Sequence, residues 1–492
     1  MRPWIPTVCV VTLLSLASFG CAGGAPSNAG ATLSSPGTPV TNPVTNPVTT
    51  PITNASTVSI VISDPAACKA SGGPFTHVYV TIADIKASTN ADAAANDPSF
   101  VDLTPGLSAA PQQVDLLGQA DSKCFLTSLG VGQQVAAGDY QQVRIFLAPD
   151  SQASGISNNA CGASYANCLV LTDNSLHDLV LPSAANQGIQ LAANRLINGG
   201  LALNAGDQPY IDLNVDVCSS ILATADGQYE FNPIVHAGII PSAGSTISGT
   251  VVNSKTGQPL SGGNVVVALE QKDAATGIDR ILMRTAAGSD GTFILCPVPQ
   301  GTYDLVAVGV DGASVSYSAG VETGIQSGQL AGKIPLVPGS QQGTLEGLIT
   351  TQGTGGNPLG VSLAVQADAL QQIATNGTTI TVPLLPRQSP YNEAMLTVDG
   401  SNCGPGGDCT PFAMQLPTSG PNVVACSEQT VQFKQQKGRT AAYTAESVAA
   451  IPGTGSAAAC SAASLRAPNG PVTVGAGETA MTSAIKFTQC QQ

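Results

Sequence analysis

Three histidines are the side chains of this sequence best suited to acid–base chemistry, because imidazole exchanges a proton near neutral pH. They are His77, His177 and His236. His77 and His236 stand in short alternating runs, where a structural position on a sheet is favoured over a ligand role. His177 precedes Asp178, but neighbours on a strand face opposite sides, so this pair makes a poor catalytic dyad.

Longer catalytic signatures are missing as well. The sequence has no H-E-x-x-H and no G-x-S-x-G, and Gly332-Lys333 is followed by Ile334 where a Walker P-loop needs Ser or Thr. We therefore predict no catalytic residues, no cofactor and no enzymatic activity. A hydrolase in the first domain, with a triad assembled from distant residues, is an alternative that these signatures leave open.

Three aspartates raise the question of a calcium site, since Ca²⁺ prefers clustered oxygen ligands. Asp212, Asp216 and Asp226 are not part of an Asp-x-Asp-x-Asp-Gly loop, so solvated positions on a sheet are favoured and we predict no metal site. Sugar sites commonly use aromatic ring faces, but the only tryptophan is Trp4. Binding of a flat crystalline glycan is therefore not expected, whereas a polar glycan site built from loops stays open.

The charge balance excludes one class of partner. The chain has 17 Lys+Arg against 31 Asp+Glu, a net charge of −14. Nucleic-acid affinity rests on basic side chains that neutralise phosphates, so we predict no nucleic-acid partner. Charged residues make up only 10% of the chain while 43% is hydrophobic. Much of the polarity therefore comes from uncharged residues, which favour turns and sheet surfaces.

The N-terminus has the layout of an export signal. Arg2 is followed by an apolar run over 8–16 and by small residues before Cys21, and this run is too short to span a bilayer permanently. The tetrapeptide S-F-G-C that ends at Cys21 resembles a bacterial lipobox, with Ser where Leu is usual. We predict a signal peptide over 1–20 and lipid attachment at Cys21; a signal peptide cleaved without lipidation is the alternative.

The segment after the cysteine predicts a stalk. Between 37 and 54 a proline recurs at every fourth position, which keeps a chain extended and solvated. Residues 21–56 are therefore expected to form a disordered, lipid-anchored stalk. Ala22 in place of Asp after the cysteine favours the outer membrane or cell surface, and a periplasmic or secreted protein is the alternative.

The cysteines fit an oxidising compartment. Without Cys9 in the leader and Cys21, eleven of the 13 remain. An odd total leaves at least one thiol free or paired between chains. The pairs Cys161–Cys168 and Cys403–Cys409 enclose short Gly- and Asn-rich loops and are the expected local disulfides, and neither spacing is a zinc signature.

Residues 57–242 predict a β-sandwich, because apolar and polar residues alternate with period two in runs such as STVSIVISD and FTHVYVTIADI. The best helical candidate, 186–199, fits a strand and loop equally well. The order V-x-I-x-I-S-D, V-x-V-T-I-x-D-I, V-D-L-L, A-G-D-Y-x-x-V-R-I and Y-x-F-x-P-x-V resembles the bacterial lipoprotein family called domain of unknown function 4382 over about 57–240. This resemblance implies fold and location rather than an activity.

Residues 245–338 predict a second sandwich. Asp290-Gly291 is a hairpin turn signal, Phe293 and Leu295 point to one side, and Tyr303 begins the next strand. The combination of G-x-V, G-x-P-L, D-G-x-F and P-x-G-x-Y resembles the carboxypeptidase regulatory-like domain, a transthyretin-like sandwich also grouped with carbohydrate-binding-like folds.

Residues 343–492 predict a third, disulfide-containing β-rich domain. TLEGLITTQGTGGNPLG echoes TISGTVVNSKTGQPLSG of the second domain, and Gly347 aligns with Gly249. A weaker echo, Gly-x-Tyr-x-x-Val, links the first domain to the second through Tyr140 and Tyr303. The third domain lacks the D-G-x-F and G-x-Y pieces.

The fold class predicted from the whole chain is all-β, with tandem β-sandwich domains after a signal peptide and a Pro/Thr-rich stalk. The predicted function is interaction at the cell envelope: a lipid-anchored protein that binds an envelope or extracellular glycan or protein. A structural spacer or assembly protein without a small-molecule ligand is the first alternative, and a hydrolase in the first domain is the second.

Overall fold

The described part of the chain is built from β-strands and short 3₁₀ turns, so the prediction of an all-β protein is confirmed. The computed structural model describes residues 54–63, 75–119, 124–181, 188–191, 195–217, 220–223, 227–231, 233–240, 245–260, 265–274, 276–311, 315–339, 341–357, 363–375, 379–384, 395–398, 408–425, 433–436, 441–449, 460, 462 and 464–490. The predicted leader, Cys21 and nearly all of the predicted stalk lie outside these residues. Among the described residues, no helix has the length and apolar character needed to cross a membrane.

Fifteen strands form the first domain. They are β1 Ala55–Ser63, β2 Phe75–Ser88, β3 Val101–Asp102, β4 Gln112–Asp115, β5 Thr127–Ala136, β6 Gly138–Tyr140, β7 Gln142–Leu147, β8 Cys168–Leu171, β9 Leu176–Val180, β10 Ile189–Leu191, β11 Leu201–Leu203, β12 Tyr210–Val215, β13 Ile221–Ala223, β14 Tyr229–Phe231 and β15 Val235–Ile240. One sheet has the order β15-β12-β1-β5, and the other runs β10-β7-β2-β8-β9-β14-β13, with β3 and β4 on β2. β6 and β11 form a separate two-stranded ribbon.

The core of this sandwich lies where the alternation predicts it. Val58, Ile60 and Ile62 of β1 and the alternating Val78, Val80 and Ile82 of β2 are at most 2% exposed and belong to one buried cluster. The segment 186–199, for which helix and strand were both open, contains β10 and a 3₁₀ turn at Ile197–Gly199. The strand-and-loop interpretation is therefore the one that the structure adopts.

Eight strands follow in the second domain. They are β16 Ile247–Asn253, β17 Val265–Lys272, β18 Asp279–Ala286, β19 Thr292–Leu295, β20 Thr302–Asp311, β21 Val315–Ser316, β22 Gly320–Gln326 and β23 Leu330–Leu336. A three-stranded sheet, β19-β16-β23, faces a larger sheet that begins β18-β17-β20-β22.

The hairpin expected at Asp290-Gly291 is not a hairpin. The turn exists: Gly291 has φ +74°, and Asp290 accepts hydrogen bonds from the backbone and the hydroxyl of Thr292. However, the strand before it, β18, pairs with β17, whereas β19 after it pairs with β16 in the opposite sheet. The turn therefore carries the chain across the sandwich, which local sequence chemistry does not distinguish from a hairpin.

Twelve strands belong to the third segment. They are β24 Gly343–Gly353, β25 Leu363–Ala374, β26 Thr379–Leu384, β27 Met395–Val398, β28 Asp408–Leu416, β29 Asn422–Ala425, β30 Lys434–Gln435, β31 Ala442–Ala449, β32 Ser464–Arg466, β33 Val472–Thr473, β34 Thr479–Met481 and β35 Ile485–Cys490. Ten of them form two sheets, one of β28-β24-β34 with β35 on β24, and one of β26-β25-β31-β32 with β27 and β33. β29 and β30 instead extend the large sheet of the second domain, which the predicted boundary at 343 did not anticipate.

A common strand arrangement underlies the echoes in the sequence. β1, β16 and β24 each open a domain and lie between an antiparallel and a parallel neighbour. A Cβ on Gly249 would lie 2.9 Å from the Phe293 ring, and one on Gly347 would lie 2.5 Å from the Phe412 ring. Glycine is needed at both positions because an aromatic ring of the antiparallel neighbour covers the central strand.

The weaker Gly-x-Tyr echo is also structural. Tyr140 Oη donates to the carbonyl of Ala136 at 2.9 Å, and Tyr303 Oη donates to the carbonyl of Pro299 at 2.7 Å, four residues upstream in both cases. Both rings are at most 2% exposed. The motif thus fixes the chain as it enters a strand, much as a buried tyrosine does at the corner of other sandwiches.

Candidate functional site

The predicted structural role of His236 agrees with its surroundings. It lies on β15 opposite Asn214, is 5% exposed, and its Nδ1 has no hydrogen-bond partner among the described residues. Burial, and secondarily the charge of Arg195, lowers its pKa to about 3. His236 is therefore a neutral core side chain near neutral pH.

His177 contacts a serine, but the geometry does not make a nucleophile. Its Nε2 lies 3.0 Å from Ser175 Oγ, and this hydroxyl donates to Asp173 Oδ1 at 2.6 Å. Hydrogen bonds from Ser175 lower the pKa of Asp173. An ionised carboxylate only accepts hydrogen bonds, so the Ser175 hydroxyl donates to Asp173. His177 Nε2 must then donate to Ser175 Oγ. In a catalytic Ser-His dyad the serine hydroxyl instead donates to the imidazole. This contact therefore gives no support to the hydrolase alternative.

The calcium candidates do not come together. Asp212 is 1% exposed on β12, where Ser63 Oγ donates to its Oδ2 at 2.9 Å, and burial raises its pKa to about 8. The expectation that Asp212 is a solvated sheet residue was wrong. Asp216 instead forms an ion pair with Arg284, with Nε 3.1 Å from Oδ2. Asp226 lies outside the described residues, and among the described ones no three His, Cys, Asp or Glu side chains are grouped to hold a metal ion.

Disulfides occur in all three domains. Cys161 and Cys168 are joined, as their short loop predicts, and Cys460 is joined to Cys490. Cys409 is also disulfide-bonded, whereas its predicted partner Cys403 lies outside the described residues. The lipid attachment predicted at Cys21 lies outside them too.

A disulfide that the sequence did not indicate links the first two domains. Cys124 precedes β5 and pairs with Cys296, which follows β19 and lies 172 residues away. The loop that starts at Cys296 is the docking element of the second domain. Its Pro299 lies against Gly238 of β15, and Gln300 donates from its backbone to the carbonyl of Ile239 at 3.1 Å.

Further contacts fix the same junction. The backbone N–H of Asn198 donates to Gln271 Oε1, and Gln271 Nε2 donates to Asn198 Oδ1, both at 3.0 Å. Asn198 Nδ2 also donates to the carbonyl of Gln300 at 2.8 Å. The neighbouring Ile197 is 3% exposed and packs in the core of the second domain. The Asp216–Arg284 ion pair lies at this junction as well. The first and second domains therefore share a covalent bond, a charged pair and part of a core.

The second and third domains share a sheet. β29 pairs in parallel with β22, from Gly320 opposite Asn422 to Thr323 opposite Ala425. Val306 and Val321 of the second domain belong to the buried cluster of the third. β29 of the third segment thus extends the sheet of the second domain, and side chains of the second domain complete the core of the third.

Among the described residues, a surface on the first domain combines ring faces, apolar area and polar groups of fixed orientation. His77 on β2, Val170 on β8 and Leu176 on β9 are opposite one another across three strands. The side chain of His77 is 47% exposed and Leu176 is 40% exposed. We call this row, together with Tyr79 and Asp115, the outer patch.

Asp115 holds the outer patch in place. Its Oδ2 lies 2.7 Å from His77 Nδ1, and its Oδ1 accepts from the backbone of Val78 at 3.2 Å and of Leu117 at 3.1 Å. The ring of Tyr79 stacks on that of His77, with centroids 5.5 Å apart and planes at 12°. Because Nδ1 is committed to the carboxylate, Nε2 of His77 is the nitrogen available to a ligand.

Sequence reasoning placed His77 on a sheet but did not find the outer patch. The row joins residues 77, 170 and 176, whose alignment depends on strand register. Period-two alternation indicates which side chains share a face of one strand, but not which strands lie side by side.

Comparison with known families supports the resemblance of the first domain. Residues 55–233 match the model of the family described as Domain of unknown function (DUF4382), close to the predicted range of 57–240. A search of curated proteins found no match.

Several solved structures show weak likeness. The TIE protein of Bacillus anthracis is 10% identical, with a match covering 88% of this chain and 50% of that one at a TM-score of 0.16. A minor pilin of Streptococcus agalactiae is 13% identical, covering 50% and 97% at 0.17. A DUF3823 family protein of Bacteroides uniformis is 12% identical, covering 45% and 95% at 0.16. The chain thus spans half the length of the first of these proteins, and likeness at this level carries no functional information.

Proposed function

We propose that this chain is an exported, lipid-anchored protein of the cell envelope that binds an envelope or extracellular ligand through the outer patch. The observation that carries the proposal is the row of exposed His77, half-buried Val170 and exposed Leu176, with the Asp115 carboxylate hydrogen-bonded to His77. Solvent-facing apolar side chains beside a polar group of fixed orientation are typical of recognition surfaces.

A glycan is the ligand class that we favour. The apolar face of a sugar ring packs on side chains such as Leu176 and on imidazole, and its hydroxyls can pair with His77 Nε2. The patch is built from a sheet face and contains no tryptophan, so a short or branched glycan suits it better than a crystalline one.

The proposal is tested by binding. The exported chain carrying Cys21→Ala is titrated with soluble envelope polysaccharide and with cell-surface extracts. We expect saturable binding that Leu176→Ser or His77→Ala weakens about tenfold, since truncation of a central contact costs about 1–2 kcal/mol. Leu330→Ser is the matched control, because it removes a leucine that is 67% exposed on the second domain. Equal losses for Leu176→Ser and Leu330→Ser would exclude the outer patch, and no binding to either class of probe would exclude the function.

Export and anchoring rest on separate observations. The disulfides support an oxidising compartment, and the lipobox-like S-F-G-C supports attachment at Cys21. Cells supplied with a labelled fatty acid are expected to label the wild-type chain and not Cys21→Ala. A Cys21→Ala chain that retained the label would contradict lipidation at this residue.

A structural spacer is the second candidate, favoured by the domain junctions. The Cys124–Cys296 disulfide and the shared sheet of β22 and β29 suit a protein that holds a fixed distance or orientation. The binding experiment separates the two candidates, because a spacer is expected to show no saturable binding to either class of probe.

A further inference from the structure

An acidic cluster lies buried between the second and third domains. Glu270 on β17 and Asp304 on β20 are directly opposite each other, and Asp279 begins the neighbouring β18. They lie on the face of this sheet that points away from its own core, since Leu269 and Leu305 fill the core from the other face. β26 of the third domain packs against β18 and β20, and Val306, two residues after Asp304 on β20, belongs to the buried cluster of the third domain.

Glu270 has lost its solvent without gaining a partner. It is 0% exposed, and neither carboxylate oxygen has a hydrogen-bond partner among the described residues. An ionised carboxylate in such a position is strongly disfavoured unless it is paired. Burial raises its pKa well above the usual value, and the charges of Asp279, Asp304 and Asp368 raise it further.

Asp279 faces the same problem, whereas Asp304 is half-buried and its Oδ1 accepts a hydrogen bond from the backbone of Gly324 at 2.8 Å. Asp279 is 1% exposed, and its Oδ2 has no hydrogen-bond partner among the described residues. Burial first, and then the charge of Asp304, raises the pKa of Asp279 to about 7. The pKa of Asp304 is also raised by burial.

The nearby cations offset the charge of the cluster only in part. Lys272 is exposed and lies opposite Asp279, and its charge acts against the rise in the pKa of Asp279 and of Asp304. Arg280 on β18 is engaged by both carboxylate oxygens of Glu446 on β31, a residue that also attracts Arg466. Arg195 of the first domain interacts with Asp368 and Arg280. Glu270 thus has no hydrogen-bond partner among the described residues although Asp279, Asp304 and Asp368 lie near enough to raise its pKa, and the described residues form no metal-binding group there.

We propose that protons held by Glu270, Asp279 and Asp304 act as a latch between the second and third domains, so that the junction is closed in acid and loosens in alkali. The closed junction binds more protons than the separated faces, where water solvates the carboxylates. Lowering the pH therefore favours closure, and raising it through neutrality favours opening. This device goes beyond ligand binding, because it sets how firmly the third domain is held.

The test is backbone hydrogen exchange of the full chain at about pH 6 and about pH 9, corrected for the intrinsic effect of pH. In the wild type, protection of β26 is expected to fall at least tenfold between these conditions, and in Glu270→Gln less than threefold. Asp304→Asn is the second variant, with the same expected direction, and it keeps the test decisive if Glu270→Gln does not fold. Asp92→Asn, an exposed change in the first domain, serves as the control and should behave as the wild type.

Two results would overturn the latch. One is an equal pH effect in the wild type and in both variants, which would assign the change to other groups. The other is restoration of protection at about pH 9 by millimolar Ca²⁺ and its loss with a chelator, which would mean that the cluster holds a cation rather than protons.

Discussion

Replacing Cys124 and Cys296 together by serine is expected to cost more stability than removing either of the other two described disulfides, Cys161–Cys168 and Cys460–Cys490. The disulfide closes a separation of 172 residues. In the chain-entropy model, a loop of that size stabilises the folded state by about 5 kcal/mol. Chemical unfolding of the oxidised wild type and of the double variant, followed by circular dichroism, measures the difference.

The matched control is the Cys161→Ser and Cys168→Ser pair. That disulfide spans a separation of seven residues, for which the same model gives about 2 kcal/mol. The Cys124/Cys296 variant should also become sensitive to proteases at the junction of the first two domains, while the control should not. Equal losses of stability and equal cleavage in the two variants would contradict a special role of the long-range disulfide.

The stability of the first domain is expected to fall as the pH rises from about 4 to about 8. Asp212 is 1% exposed and its pKa is raised to about 8 by burial, against which the hydrogen bond from Ser63 acts only partly. Between these pH values the folded chain keeps a proton that the unfolded chain has released. The free energy of unfolding then falls by about 1.4 kcal/mol for each pH unit, and the loss is complete above the folded pKa.

Asp212→Asn removes this titration and keeps an acceptor for Ser63. We expect the variant to be more stable than the wild type by several kcal/mol at about pH 8 and nearly equal to it at about pH 4. Urea unfolding across this range measures both slopes, and Asp92→Asn is the exposed control. A variant with the same slope as the wild type would show that Asp212 is ionised in the folded protein.

The sequence pattern was sufficient to predict the features that depend on residues close together in the chain. The alternation of Val58, Ile60 and Ile62 predicts β1, and the short loop between Cys161 and Cys168 predicts their disulfide. These predictions depend on residues close in sequence, whose face and spacing are set by strand geometry.

What the sequence did not indicate depends on distant pairings. Cys124–Cys296, the insertion of β29 beside β22 and the Asn198–Gln271 contact each join segments that no local period relates. The outer patch has the same origin, because His77 faces Leu176 only through the register of β8. Asp212 lies on the face of β12 opposite to Ile211 and Leu213, which fill the core between the two sheets. Its cross-strand neighbour Gly238 lies against Pro299 of the second domain, a contact that a polar residue in an alternating run does not reveal.

The central claim is that the outer patch contacts a ligand in the cell, and site-specific photo-crosslinking tests it most directly. A photoreactive side chain is placed at position 176 of the exported chain and, as a control, at position 131, where Val131 is 81% exposed on the other sheet of the same domain. We predict that irradiation of intact cells joins an envelope glycan or protein to position 176, and that Asp115→Ala reduces this product because it releases His77. Equal products at 176 and 131, or none at 176, would contradict the account.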